Sequence, residues 1–145
     1  MSLANEVTMR RFIEEVINNG NLPVLDEVIH PNYVFRSPGQ ELRGREGLRG
    51  LFAAYRTAFP DLHVKIDDLV IAGDKAVLSF ALSGTHEGDL MGIAATGKQV
   101  KVNGMTLSRF ESGKIVEEWE LLDQLNMFQQ LGIVSVQSQT QTNNH

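Results

Sequence analysis

The sequence predicts an α+β fold, helices first and a curved antiparallel sheet second, with the helices covering one face of the sheet. Three observations carry this. Apolar residues recur at helical spacing as far as Phe59, and alternate at two-residue spacing from Leu62 onward. Tight-turn dipeptides, Gly73-Asp74 and Ser112-Gly113, fall between the alternating segments, where a meander of strands needs them. The 145 residues suit one domain with its own core, and the absence of cysteine excludes disulfides and thiol chemistry.

The first helix is read from Met9, Phe12, Ile13, Val16 and Ile17, which form one apolar stripe and stop at Asn18-Asn19-Gly20. A short second helix is expected from Asn21, with Pro23 in its first turn, Leu22, Leu25, Val28 and Ile29 inward, and Pro31 ending it. Residues 33–36 read as a short strand closed by Ser37-Pro38-Gly39. A third helix over 44–59 turns Leu48, Leu51, Phe52, Tyr55 and Phe59 inward before Pro60 stops it. Strands follow over 62–72, 75–87, 100–111 and 114–122, and then a short C-terminal helix. The expected domain is 1–134, with a polar, mobile tail over 135–145.

A formal net charge of -5, with no basic cluster beyond Arg10-Arg11, argues against a nucleic-acid partner and for a small neutral one. There is no apolar run long enough to span a membrane and no secretory h-region, so no membrane partner and a cytoplasmic location are expected. The stretch 92–99, GIAATGKQ, nearly spells a phosphate-binding loop. It puts Gln99 where the magnesium-binding hydroxyl belongs and runs into a strand instead of a helix. His30, His63 and His86 lack metal-ligand spacing, and no GxSxG elbow is present. Neither a cofactor nor a metal is expected.

Chemistry concentrates in 114–132, KIVEEWELLDQLNMFQQLG. Strict alternation places Ile115, Glu117, Trp119, Leu121 and Asp123 on one side of the strand, taken as the side the helices cover. Asp123 then has two readings: a proton carrier whose pKa partial burial raises, or an N-cap for the helix that follows. His86 extends the apolar face of Leu78, Phe80 and Leu82, as a catalytic group or a satisfied buried imidazole. The connection over 88–99 carries Leu90, Met91 and Ile93, and reads equally as a lid over a pocket or as a plug or subunit contact.

Three segments, RRFIEEVINNGNLPVLDEVIHPNYV, RGREGLRGLFAAYRTAFPDLHVKIDDLVIAGDKAVLSFALSGTHEGDLMGIAATGKQVKVNGM and SRFESGKIVEEWELLDQLNMFQQLG, resemble the SnoaL-like polyketide cyclase, or ester cyclase, family. That family belongs to the cone-shaped fold of nuclear transport factor 2 and ketosteroid isomerase, also called a cystatin-like α+β barrel. The resemblance implies a cone whose concave face is covered by three N-terminal helices and a short C-terminal one. It implies an interior for an apolar small molecule, and a homodimer or higher assembly. It also implies that Asp123 of WELLD is the acid/base of an aldol ring closure without cofactor or metal, with His86 able to steady the oxyanion.

Trp119, Phe80 and Leu78 are expected to wall the pocket. Phe35, Arg36, Tyr55 and Met91 are expected to complete the substrate contacts. Where family members carry histidines after NYV, this chain has Phe35-Arg36-Ser37-Pro38, so the substrate need not be a polyketide. A non-catalytic binding or assembly module is the alternative, and an epoxide hydrolase a weaker one for want of an Asp-Arg-Asp set on facing strands.

Overall fold

The computed structural model describes residues 2–133, so the tail over 135–145 lies outside the described residues. Helix α1 (Ser2–Arg11) runs on as a π-helix (Phe12–Asn18), and Gly20, at φ +68°, turns the chain out of it. A 3₁₀ turn (Leu22–Val24) leads into α2 (Leu25–Val28). Next come β1 (Ile29–Ser37), β2 (Gln40–Arg43) and α3 (Gly44–Ala58). The meander β3 (His63–Ala72), β4 (Lys75–Thr85), β5 (Gln99–Glu111) and β6 (Lys114–Leu122) follows, and α4 (Gln124–Gln130) closes the described chain.

The strands form one curved sheet in the order β2-β1-β6-β5-β4-β3. Pairing is antiparallel except between β1 and β6, which run parallel, so the sheet is mixed and not wholly antiparallel. The cause is connectivity: β1 enters from α2 and the chain returns to its side only after four intervening strands. The second expected helix is thus shorter than its apolar spacing suggests. Ile29 to Ser37 pairs with β6 and β2, and Pro31 sits within that strand where the register with β6 shifts. Strand β2 was absent from the sequence reading, because QELR offers no alternation to see.

The stripe Met9, Phe12, Ile13, Val16 and Ile17 is buried, as its spacing predicts, and packs with the inward residues of α3 and the sheet into one core. On β4, Leu78, Phe80, Leu82, Gly84 and His86 share the covered side. On β5 it is Val100, Val102, Gly104, Thr106, Ser108 and Phe110. The tip of the Phe80 ring packs against Gly104: a Cβ added there would stand 2.4 Å from the ring's Cζ.

The side assignment on β6 differs from strict alternation. Phe110 pairs with Ile115 but Arg109 pairs with Glu117, so Val116 is an extra residue, a β-bulge. Ile115 and Val116 are both buried, and beyond them the covered side holds Glu118, Glu120 and Leu122. Trp119 and Leu121, 53% and 66% exposed, face away from the helices. The expected position of Trp119 on the covered side is therefore corrected: one inserted residue reverses every side chain after it.

Candidate functional site

Between α3, the π-helix and the sheet lies a cavity of about 70 Å³. Phe12, Ile13, Phe35, Phe52, Leu78 and Phe80 are among its walls, and among the described residues only Tyr55, Thr106, Glu118 and Glu120 bring polar side chains to it. An adjoining outer hollow of about 260 Å³ shares Phe35, Leu51, Tyr55, Glu120 and Leu122 with the cavity and reaches Ser37, Gln40, Asp123 and Gln124. The inner space holds a fragment the size of about two water molecules. Tyr55 and Glu120 are among the residues that border both spaces.

The bulge on β6 delivers the carboxyls. Glu118, 4% exposed, accepts from the Tyr33 hydroxyl at 2.7 Å and from the Ser108 hydroxyl at 2.6 Å. Burial holds its carboxyl above the usual range, while the two hydroxyl donors act in the opposite direction. Tyr33, itself buried, is pushed well above an ordinary phenol by burial first and the Glu118 charge second. Glu120, two residues on, is pushed up to about 7, by burial first and the Glu118 charge second, against the Thr106 hydroxyl. Tyr55, across the cavity on α3, is pushed up to about 12 by burial and then the Glu120 charge, so it stays a protonated donor at working pH.

The expected residues fall into three groups. Leu78, Phe80, Phe35 and Tyr55 line the cavity. Asp123 stands on the rim of the outer hollow, exposed, as the N-cap of α4, with Oδ1 accepting from the Asn126 amide at 3.2 Å. The remainder are elsewhere. Trp119 and Arg36 meet on the outer side of the sheet, the guanidinium carbon 5.3 Å from the indole centroid, and Arg36 also pairs with Glu117 and Glu41. Glu117 is held below the usual carboxylate range first by its bond to Arg36 and then by Arg109. Met91 is exposed in its loop.

His86 does continue the face of Leu78 and Phe80, but it does not reach the cavity, because Phe59 covers it at 5.6 Å. Its Nδ1 accepts from the Thr96 amide at 3.2 Å and lies 3.0 Å from the Thr96 hydroxyl, while the chain pairs back through Lys98 and Gly97. The loop it anchors buries Leu90 and closes onto the end of α3, where the Glu87 and Gly88 amides donate to the Ala58 carbonyl. Of the two readings of that loop, the plug matches these contacts, since no residue of 88–99 lines the cavity.

Glu118 and Glu120 line the cavity and were not singled out from the sequence. A signal was available in the opposite strand: counting back from Ser112-Gly113 without a bulge pairs Trp119 with Thr106, whereas the bulged register pairs Leu107 with Trp119, Thr106 with Glu120 and Ser108 with Glu118, like with like. Among the described residues no cluster of histidine, aspartate and glutamate could hold a metal ion, and no helix is long and apolar enough to cross a membrane.

Residues 7–131 match the family of SnoaL-like polyketide cyclases. The chain belongs to that family. It is 29% identical to the aklanonic acid methyl ester cyclase DnrD of Streptomyces peucetius over 136 residues, 90% of this chain and 92% of that one. The structure of TsrD from Streptomyces laurentii superposes with a TM-score of 0.84 at 32% identity, covering 92% of this chain and 98% of that one. A Catenulispora acidiphila protein with a ketosteroid isomerase-like fold, at a TM-score of 0.74, 18% identity and coverage of 88% and 93%, shares the fold. In SnoaL-like terms the cavity occupies the interior of the cone, and the WELLD segment supplies both its wall and its rim.

Proposed function

We propose that this SnoaL-like chain is a cofactor-independent cyclase-type catalyst that moves protons on an apolar carbonyl compound held in the cone. The observation that carries the reading is an apolar cavity whose open end is bordered by carboxyl groups, Glu120 on the wall and Asp123 on the rim. An aldol closure needs little more. A carboxylate takes a proton from carbon flanked by carbonyls, and the electron pair forms an enolate. The enolate carbon bonds to a second carbonyl carbon, whose π electrons pass to oxygen, and the alkoxide recovers the proton. Apolar walls exclude water from the enolate, and the Tyr55 phenol is a donor for the developing oxyanion.

Aklanonic acid methyl ester, the compound in the name of the Streptomyces peucetius relative, is the first substrate to offer. Ring-closed product formed faster than in buffer, read by liquid chromatography and mass spectrometry, supports the reading. Tight binding of this and other β-dicarbonyl compounds without product supports the alternative, a binding module. The capping bond of Asp123 favours that alternative, because it occupies one of the oxygens the resemblance assigns to catalysis.

The same proposal includes a homodimer through the outer side of the sheet, where Val77, Met105, Leu107, Trp119 and Leu121 form a contiguous exposed apolar surface. Sedimentation velocity should give a dimer that Leu121→Lys converts to a monomer. A wild-type monomer at every concentration would remove this part of the proposal.

A further inference from the structure

We propose that Glu120, not the rim residue Asp123, is the proton carrier of the cavity, and that Glu118, clamped by Tyr33 and Ser108, is the positioning residue that keeps it ready. The inference rests on the proton-transfer reading above and names the group that performs it.

The geometry supplies the reasons. Glu118 and Glu120 project from the same side of β6 into one cavity, and among the described residues no lysine, arginine or histidine lines it. Two carboxylates without a cation in an apolar space do not both ionise easily, so one proton is shared out between them. Hydrogen bonding decides its location. Both oxygens of Glu118 accept from hydroxyls, Tyr33 from β1 and Ser108 from β5, which favours the anion there. Glu120 stands opposite Thr106 of β5 and shares the cavity wall with Tyr55 of α3, without a two-hydroxyl clamp like that on Glu118, so the exchangeable proton is assigned to Glu120.

Position adds to this. Glu120 borders both the cavity and the outer hollow, whereas Glu118 borders the cavity alone and is tied down. Asp123 reaches only the outer hollow and is exposed. A half-buried carboxyl raised to about 7 matches the ideal of a general base near its operating pH. The chemistry points to a carbon acid whose reacting C–H lies at the inner end of the ligand, with the remainder in the outer hollow.

The test uses the full chain and two readouts. The first is a carboxyl titration by NMR on protein labelled with carbon-13 at glutamate Cδ. One resonance, absent in Glu120→Gln, should titrate near neutral pH, and in Glu118→Gln its midpoint should move downward while the protein still folds. The second is deuterium exchange from solvent into the methylene of ethyl acetoacetate. Wild-type protein should accelerate exchange with a pH midpoint that follows the Glu120 resonance, Glu120→Gln should lose the acceleration, and Asp123→Asn should keep it. Tyr33→Phe leaves both carboxyls in place and should lower the midpoint. It serves as the second variant if Glu118→Gln does not fold.

Loss of exchange in Asp123→Asn with retention in Glu120→Gln would overturn this inference and leave the cyclase reading standing. No acceleration by wild-type protein would remove both. A Glu120 resonance that titrates at an ordinary carboxylate pH, or does not respond to Glu118→Gln, refutes the positioning role.

Discussion

The substitution Glu120→Gln should make the protein more stable at pH 8 and leave it unchanged at pH 4.5. The side chain keeps its shape and its polar contact with Thr106 but loses the charge. In the folded chain the carboxyl is raised from 4.5 to about 7. Below pH 4.5 it is protonated in both folded and unfolded chains, so the favourable contribution of holding that proton is fully present. As pH rises from 4.5 toward 7 the unfolded chain ionises while the folded chain keeps its proton, and stability falls by about 1.4 kcal/mol per pH unit. Above 7 both states are ionised and the loss is complete, at about 3 kcal/mol. Water entering from the outer hollow lowers this figure, and relief of the Glu118 charge is already part of it. Glutamine has no such loss.

The assay is urea denaturation of both proteins at pH 4.5, 6, 7 and 8, plotted as the difference in unfolding free energy. The difference should rise from near zero to about 3 kcal/mol in favour of the variant, equivalent to about 10 °C in melting temperature for a domain this size. Difference plots cancel the carboxylates with the opposite sign, Glu41, Asp61 and Glu117, which their partners hold below the usual range. A flat difference across this window would refute the reasoning, since it would mean that the Glu120 carboxyl ionises as freely in the cavity as in the unfolded chain. A stability gain on removing this group is the signature of a site held in place against its own electrostatics.

Three further outcomes follow from the geometry. Tyr33→Phe removes one of the two donors to buried Glu118 and should cost about 1–3 kcal/mol at pH 8 by urea denaturation, while a cost under about 0.5 kcal/mol would show that the clamp is not formed. Asp123→Ala should cost about 1 kcal/mol by loss of the α4 cap and Asp123→Asn only a few tenths, so equal losses in the two variants would contradict the capping role. Gly104→Ala places a methyl 2.4 Å from Phe80 Cζ and should cost about 1–3 kcal/mol by pushing the ring toward the cavity; a neutral result would mean that Phe80 does not lie over the strand.

Much of the architecture was legible because it is written locally. The first-helix stripe, the third helix over 44–58, the hairpin turns and the bounds of β6 follow from periodicity and turn chemistry, which neighbouring residues settle among themselves. The segments also carried the SnoaL-like resemblance, and with it the cone. Of the residues singled out in the sequence, Leu78, Phe80, Phe35 and Tyr55 do line the cavity. His86 was placed on the correct side of β4, but Phe59, from the end of α3, decides that it stays sealed off from the cavity.

What the sequence alone determined is the order of the elements apart from β2, the apolar faces of the first and third helices and of β4, and the family. What only the tertiary structure decided is which side of β6 faces the helices. Ile115 and Val116 are both apolar, as are Leu121 and Leu122, so either side of that strand satisfies the alternation. The choice is made by pairing with β5, where the bulge at Val116 sets Thr106 and Ser108 against Glu120 and Glu118. A bulge belongs to two strands at once, and the residues of either one alone do not specify it. That one extra residue sends the tryptophan to the outer surface and two carboxyls into the cone.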